Sequence, residues 1–264
     1  MTQPYEVLVT AVSERADLFI QTMESMLENL DTPPSRLIVH EDVRPGSRPG
    51  EIRLWLNTAL AMGKFPAYTL KETEPSRGLG PAMLWCFQQA TTPIVFYTQE
   101  DWQFVRRVPV GACLDIMEEH KLNHVRFNKR KTMKAKHEDT NHPWKKVEVE
   151  FAVPGIALLT LPPQSQMQKF CISDHWYTQA SLWRVAPALP GLEACQGFPQ
   201  ANRFVAEFNA WMNRTYGDGR EWQEQQHRHE RLKTYIWGPV AEPAFIKHLG
   251  SVRTTGPIVH KAGA

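Results

Sequence analysis

Four short clusters in this 264-residue chain bring together side chains that bind ions or move protons. They are Thr10-Ala11-Val12-Ser13-Glu14-Arg15, His40-Glu41-Asp42, Ser76-Arg77-Gly78-Leu79-Gly80-Pro81 and Thr98-Gln99-Glu100-Asp101-Trp102. Acidic residues at neighbouring positions of a fold repel one another unless a cation neutralises them, typically a divalent ion. Oxygen donors without cysteine favour Mg²⁺ or Mn²⁺, and such ions commonly bridge protein carboxylates to substrate phosphates.

The elements that position these clusters follow from hydrophobic period. Glu6–Val12 (EVLVTAV) and Arg36–His40 (RLIVH) read as buried strands, as does Pro93–Tyr97 (PIVFY), with Ala67–Leu70 a further short strand. Between them, Asp17–Leu30 places Leu18, Met23, Met26, Leu27 and Leu30 at helical spacing. Glu51–Met62 and Ala82–Ala90 are further helices, the last opened by Pro81 near its first turn. Strands alternating with helices imply βαβ units and a largely parallel, Rossmann-like sheet. Ligands bind such sheets outside the carboxyl ends of the strands, which is where three of the clusters fall.

The second half is less regular. Val110–His120 reads as a helix and His124–Phe127 as a strand. Extended stretches are expected at Val147–Phe151, Ile156–Leu161 and Gln179–Val185, and helices at Asn202–Tyr216 and Glu221–Tyr235. The economical organisation is one domain over 1–264, with residues 1–105 as a nucleotide half and 106–264 as an acceptor half.

Composition narrows the function classes. Hydrophobic residues make up 42% and charged residues 22%, which excludes wholesale disorder. The net charge of +2 excludes a protein that coats polyanions with its whole surface, so a nucleic-acid site must be a local patch. The four cysteines lie far apart with no C-x-x-C pair, which argues against a structural zinc or a disulfide framework. The longest apolar run, Phe151–Leu161, is broken by Pro154 and Gly155 and falls short of the roughly 20 residues a bilayer span needs. With no leader-like start either, a soluble, cytoplasmic protein without membrane insertion is expected. A third glycine for a dinucleotide fingerprint is lacking after Gly78-x-Gly80, and neither a P-loop nor a G-x-S-x-G elbow occurs.

The ordered set of clusters resembles the GT-A fold of nucleotide-sugar glycosyltransferases, especially the family 2 type. VLVTAVSERADLFIQTMESML is similar to their first strand, polar turn with Arg, and helix with a Ser-Leu-like pair. IVHED has Glu41-Asp42 where those proteins carry an Asp-Asp pair that contacts the nucleoside. SRGLGPAMLWCF matches their Asn/Arg-x-Gly stretch, and YTQEDW supplies Glu100 and Asp101 at the D-x-D position, with Gln99 in place of the first acid. The resemblance implies a donor site built from Thr10, Val12, Glu14, Arg15, Glu41, Asp42, Arg77, Gly80, Glu100 and Asp101. It also implies a bound Mn²⁺ or Mg²⁺. The late FIKHLG segment resembles the return strand of such enzymes, which makes His248 a metal ligand beside Asp101. The implied reaction moves a sugar, UDP-linked above all, to an acceptor hydroxyl.

An inverting transfer needs a carboxylate to take the acceptor proton. Asp174, in ISDHW, and Glu207, in ANRFVAEFNAWMNR, are the two candidates. The first has Trp176 beside it as part of an acceptor wall. The second resembles the acidic helix start of family 2 enzymes, but Phe208 follows it instead of an acid. A retaining mechanism would need neither.

Between residues 126 and 146 stand eight basic residues, among them Arg130, Lys131 and Lys134, against two acids, with Phe127 and Trp144 interleaved. Basic side chains neutralise phosphates and aromatics stack on unpaired bases. Such a segment suits DNA as acceptor, for instance a hydroxymethyl-pyrimidine presented by base flipping. It equally suits an anionic glycan or lipid acceptor. A non-catalytic nucleic-acid-binding protein is the alternative of a different class, and a sugar nucleotidyltransferase a weaker one.

Overall fold

A computed structural model describes residues 3–44, 50–128, 148–152, 167–173, 179–198, 200–216, 234–238 and 243–249. The β-branched runs of the first half form parallel strands, and the amphipathic stretches between them form the crossover helices. In chain order these are β1 (Glu6–Val12), α1 (Ala16–Asn29), β2 (Arg36–Asp42), α2 (Glu51–Ala61), β3 (Tyr68–Thr73), α3 (Leu79–Gln89) and β4 (Ile94–Gln99). There follow β5 (Trp102–Phe104), α4 (Val110–Glu119), β6 (His124–Arg126), β7 (Glu148–Ala152), β8 (Met167–Ser173), β9 (Ser181–Arg184), α5 (Val185–Cys195), α6 (Ala201–Tyr216), β10 (Thr234–Trp237) and β11 (Ile246–His248).

Nine of the strands make one sheet in the order β3-β2-β1-β4-β9-β6-β10-β8-β7. Only β9 and β8 run against the others, β9 pairing antiparallel with both β4 and β6, and β8 with both β10 and β7. The expected GT-A-type α/β arrangement, a largely parallel sheet flanked by helices, is the one observed. Strands β5 and β11 form a separate antiparallel pair.

Each strand sends alternate side chains to opposite faces. Val7, Val9, Leu37, Val39 and Phe96 pack with Phe19, Met23, Ile52, Leu56 and Leu114 from α1, α2 and α4. Leu8, Ile38, Val95 and Tyr97 pack with Met83, Phe87, Leu192, Phe204 and Phe208 from α3, α5 and α6. Full burial of each such side chain contributes roughly 1.5–3 kcal/mol. Trp183 of β9 ties the second face together, its ring centroid 5.6 Å from Phe87, 6.2 Å from Tyr97 and 6.0 Å from Phe208.

Helix α6 is seated by two glycines. A methyl group on Gly80 would lie 2.9 Å from the Phe204 ring, and one on Gly191 would lie 2.8 Å from the Phe208 ring. That close approach sets the start of α6 beside the start of α3. The helix expected at Glu221–Tyr235 is corrected at its end: Thr234–Trp237 is a strand, held in the sheet between β6 and β8. Residues 221–233 and the stretch Ile156–Leu161 lie outside the described residues. No described helix is long and apolar enough to cross a membrane.

Candidate active site

The register of the parallel strands places their ends side by side. Val12 pairs with Asp42, Thr10 with Gln99, and Asp42 with Thr73. The chain leaves β1 through a 3-10 turn, Ser13–Arg15, and enters α3 at Gly78, whose φ of 86° suits glycine. Above these ends lies a cleft of about 420 Å³. Thr10, Val12, Arg15, Asp42, Glu100 and Asp101 line it, joined by Arg44, Ser76, Gly78 and Gln99. From the second half of the chain, Gln200 and Ala201 at the start of α6 complete the wall.

Glu100 and Asp101 sit in the tight turn between β4 and β5, and both are buried, at 7% and 6% exposure. Helix α1 fastens this turn. Thr22 Oγ1 donates to the Glu100 carbonyl at 2.6 Å and accepts from the Trp102 amide at 3.1 Å, while Ser25 Oγ accepts from the Phe104 amide at 3.1 Å. Arg15 Nη1 reaches Glu100 Oε1 and Asp101 Oδ2, each at 3.2 Å. Burial first, and the neighbouring Asp101 charge second, push the Glu100 carboxyl up to about 7, with Arg15 opposing them.

The β5–β11 pairing sets His248 opposite Trp102, and the Leu249 amide donates to the Asp101 carbonyl at 2.7 Å. His248 Nε2 consequently stands 3.0 Å from Asp101 Oδ2, its ring 4.7 Å from that of Trp102. The other oxygen, Asp101 Oδ1, is buried with no hydrogen-bond partner. An unpartnered buried carboxylate oxygen is costly, and a cation would satisfy it. Among the described residues no three His, Cys, Asp or Glu side chains gather into a complete coordination set. Asp101 and His248 therefore supply two donors of the kind that an Mg²⁺- or Mn²⁺-type ion takes, and would leave most of its coordination positions to other ligands.

Asp42 forms a second anchor. Its Oδ2 accepts from Ser76 Oγ at 2.8 Å and from the Gly78 amide at 3.1 Å, and its Oδ1 faces the Arg77 amide at 3.4 Å. Beneath it, His40 Nδ1 lies 3.8 Å from Asp42 Oδ1 and His40 Nε2 lies 3.1 Å from Thr73 Oγ1. Burial lowers this imidazole to about 4, against the pull of Asp42, so it is neutral at physiological pH. Ser13 Oγ accepts from the Arg44 amide at 3.1 Å, which bends the chain after β2 over the first turn.

Other expected residues stand elsewhere. Glu41 follows the strand alternation to the face opposite Asp42. It is 1% exposed, and neither carboxylate oxygen has a hydrogen-bond partner. Burial, then the charge of Glu72, raises it to about 7. Gly80 packs on Phe204 and is not part of the cleft lining. The Glu14 carboxylate pairs with Arg44 at 3.3 Å on the exposed rim. The Arg77 side chain is exposed, and its amide is what faces Asp42. Glu207 is half-buried on α6 and also lies outside the cleft lining. Burial, then the Glu207 charge, raises the thiol of Cys195 on α5. Asp174, Arg130, Lys131, Lys134, Trp144 and Trp176 lie outside the described residues.

Thr22, Arg44 and Gln200 were not marked by sequence. Gln200 had a signal: it precedes the amphipathic run of α6 and so falls where a helix start meets the sheet edge. Thr22 had none, since a threonine inside an apolar helix face reads as packing.

The sequence matches no protein-family model and no curated protein. In three dimensions the chain is similar to S. aureus TarS, with a TM-score of 0.53 and 12% identity over 93% of this chain and 36% of that one. It is also similar to TarS 1-349 in complex with UDP-GlcNAc, with a TM-score of 0.52 and 12% identity over 94% and 61% of the two chains. TarS 1-349 in complex with UDP gives a TM-score of 0.52 and 11% identity over 92% and 60%. The chain thus spans 36% of the length of TarS and about 60% of TarS 1-349. At such identities the likeness is one of architecture: this chain has the fold of a protein solved with UDP and with UDP-GlcNAc.

Proposed function

We propose that the protein is a metal-dependent glycosyltransferase, using a nucleotide diphosphate sugar of the UDP class and an acceptor hydroxyl. The observation that carries this reading is that Arg15, Glu100 and Asp101 meet in a strand-end cleft that Asp42 also lines, with His248 held against Asp101 from β11. The TarS likeness supports it, since that protein has been solved with UDP and UDP-GlcNAc.

In this reading the Thr10–Arg15 turn and the Asp42 ledge hold the nucleoside, and Gly78 at the start of α3 lets backbone amides approach the ligand. Asp101 and His248 would hold the divalent cation, which when bound would offset charge on the departing diphosphate. Arg15 adds a fixed positive charge at the same end of the cleft. Burial of Glu100 and Asp101 keeps water from screening those charges. The acceptor proton goes to a carboxylate. Glu207 and Asp174 are the two candidates for it; Glu207 lies outside the cleft lining, and Asp174 lies outside the described residues.

The acceptor is proposed from sequence alone. The basic 126–146 segment suits a polyanion, and DNA carrying a hydroxymethyl-pyrimidine is the acceptor class proposed, with an anionic glycan or lipid as the alternative. Nucleoside diphosphate release from a panel of UDP- and GDP-sugars, with Mn²⁺ and with each acceptor class, tests the whole reading. Metal-dependent release that Asp101→Ala abolishes is expected. Failure of every donor to turn over with any acceptor would overturn it. Transfer to DNA should weaken steeply with added salt, as any polyanion held by the basic segment would, so the acceptor panel itself decides between DNA and an anionic glycan or lipid.

A further inference from the structure

We propose that Arg15 is the resident counter-ion of the acidic pair, exchanged for a divalent cation most readily when a diphosphate arrives to take its guanidinium. This deepens the glycosyltransferase reading and rests on it for the identity of the incoming diphosphate.

The geometry is asymmetric. The side chains of Glu100 and Asp101 are only 9% and 8% exposed, whereas that of Arg15 is 41% exposed. The acids are therefore fixed in the wall, and the base reaches down to them from the open cleft. A single nitrogen, Arg15 Nη1, sits 3.2 Å from an oxygen of each acid. That is the place a metal ion bound to Asp101 would contest, because Asp101 Oδ2 is already shared between Arg15 and His248. Asp101 Oδ1 remains buried and unpartnered, so the guanidinium does not complete the site.

Two cations drawn to one carboxylate repel each other, and the resident one lowers the affinity for the newcomer. A diphosphate changes that balance. It carries several negative charges and oxygens that match the planar fork of a guanidinium better than any point charge does. Arg15 comes from the 3-10 turn at the cleft, and its side chain, partly exposed and outside the hydrophobic core, is placed to turn to such a ligand. Once it does so, Asp101 is open to the metal. Metal and nucleotide should accordingly each strengthen the binding of the other, with Arg15 as the element that couples them.

The test is calorimetric titration of Mn²⁺ into the wild-type protein and Arg15→Met, first without nucleotide and then with saturating UDP. Without nucleotide, Arg15→Met is expected to bind Mn²⁺ about tenfold tighter than wild type, within the usual range of coupling between sites. With UDP, wild type should gain Mn²⁺ affinity and Arg15→Met should not. Equal or weaker Mn²⁺ binding by the variant without nucleotide, or none by either protein, overturns the proposal. Thermal unfolding checks that the variant is folded. If it is not, Arg15→Gln, which keeps a polar side chain in place of the charge, answers the same question. The arm without nucleotide does not depend on the glycosyltransferase reading. A wild-type protein that binds Mn²⁺ but no nucleoside diphosphate would sink that reading and the exchange half of this proposal. The Mn²⁺ comparison would still decide whether Arg15 is the counter-ion.

Discussion

His248 and Asp101 are 147 positions apart in the chain, and their side chains meet with Nε2 and Oδ2 3.0 Å apart. Two three-residue strands produce this contact. The pairing of β11 with β5 places His248 opposite Trp102, and the Leu249 amide closes the register on the Asp101 carbonyl. His248→Ala should thus cost metal affinity far more than stability. In the presence of UDP, Mn²⁺ affinity is expected to fall roughly 10–100-fold, the range found when a group supporting a metal site is removed. Calorimetry reads the affinity, and an unchanged value would remove His248 from the site.

Asp42 is as much a fastening as a ligand. Its carboxylate holds Ser76 Oγ and the Gly78 amide, so it shapes the turn that leads into α3. Asp42→Ala leaves that amide without its partner, and a loss of about 1–3 kcal/mol is expected. Chemical denaturation should show it, together with weaker UDP binding. A variant of wild-type stability would mean that the turn holds itself.

Gly78 and Gly80 do different work two residues apart. Gly78 has φ 86° and ψ 179°, a backbone conformation that side chains resist, and it lines the cleft. Gly80 faces Phe204 at a distance that leaves no room for a methyl group. Gly80→Ala is expected to lower stability by about 1–3 kcal/mol through overpacking while UDP affinity holds. Gly78→Ala, at a strain of about 1–3 kcal/mol, should reduce both. Paired melting and binding measurements separate the two, and loss of UDP affinity in Gly80→Ala alone would reverse the assignment.

Glu41 is a buried carboxyl without a hydrogen-bond partner, and burial raises it from 4.5 to about 7. Between those values the folded chain binds more protons than the unfolded one, so stability falls as pH rises and levels off above about 7. Glu41→Met removes the charged form, and a gain on the order of 2 kcal/mol at pH 8 is expected, with little gain at pH 4. Glu100, raised in the same way, keeps part of the slope in the variant. Denaturation at a series of pH values checks this, and a variant less stable than wild type at pH 8 would show that Glu41 has a favourable partner.

Most of the first-half architecture was legible because it is local. The runs EVLVTAV and RLIVH bury both faces, the helices between them carry a 3.6-residue period, and the polar residues after each strand fall at the sheet edge by construction. What escaped depends on distant contacts or broken rules. Helix α5 contains Pro187 and Pro190, so its sequence reads as a break. Strand β10 lies where a polar helix was expected to end, because its partners β6 and β8 come from more than 60 positions earlier. Strands β5 and β11 are too short to carry a period. Glu41 is a different case. The period of two in β2 already sends Glu41 and Asp42 to opposite faces, and that rule outranks the resemblance to an Asp-Asp pair.

Titration of UDP into the protein with and without Mn²⁺, for wild type and Asp101→Asn, tests the central claim most directly. The account expects UDP to bind wild type at least tenfold more tightly with Mn²⁺ than without it, and that gain to vanish in a folded Asp101→Asn variant. A wild-type protein that ignores UDP under both conditions, or an Asp101→Asn variant that keeps the full Mn²⁺ gain, would contradict it.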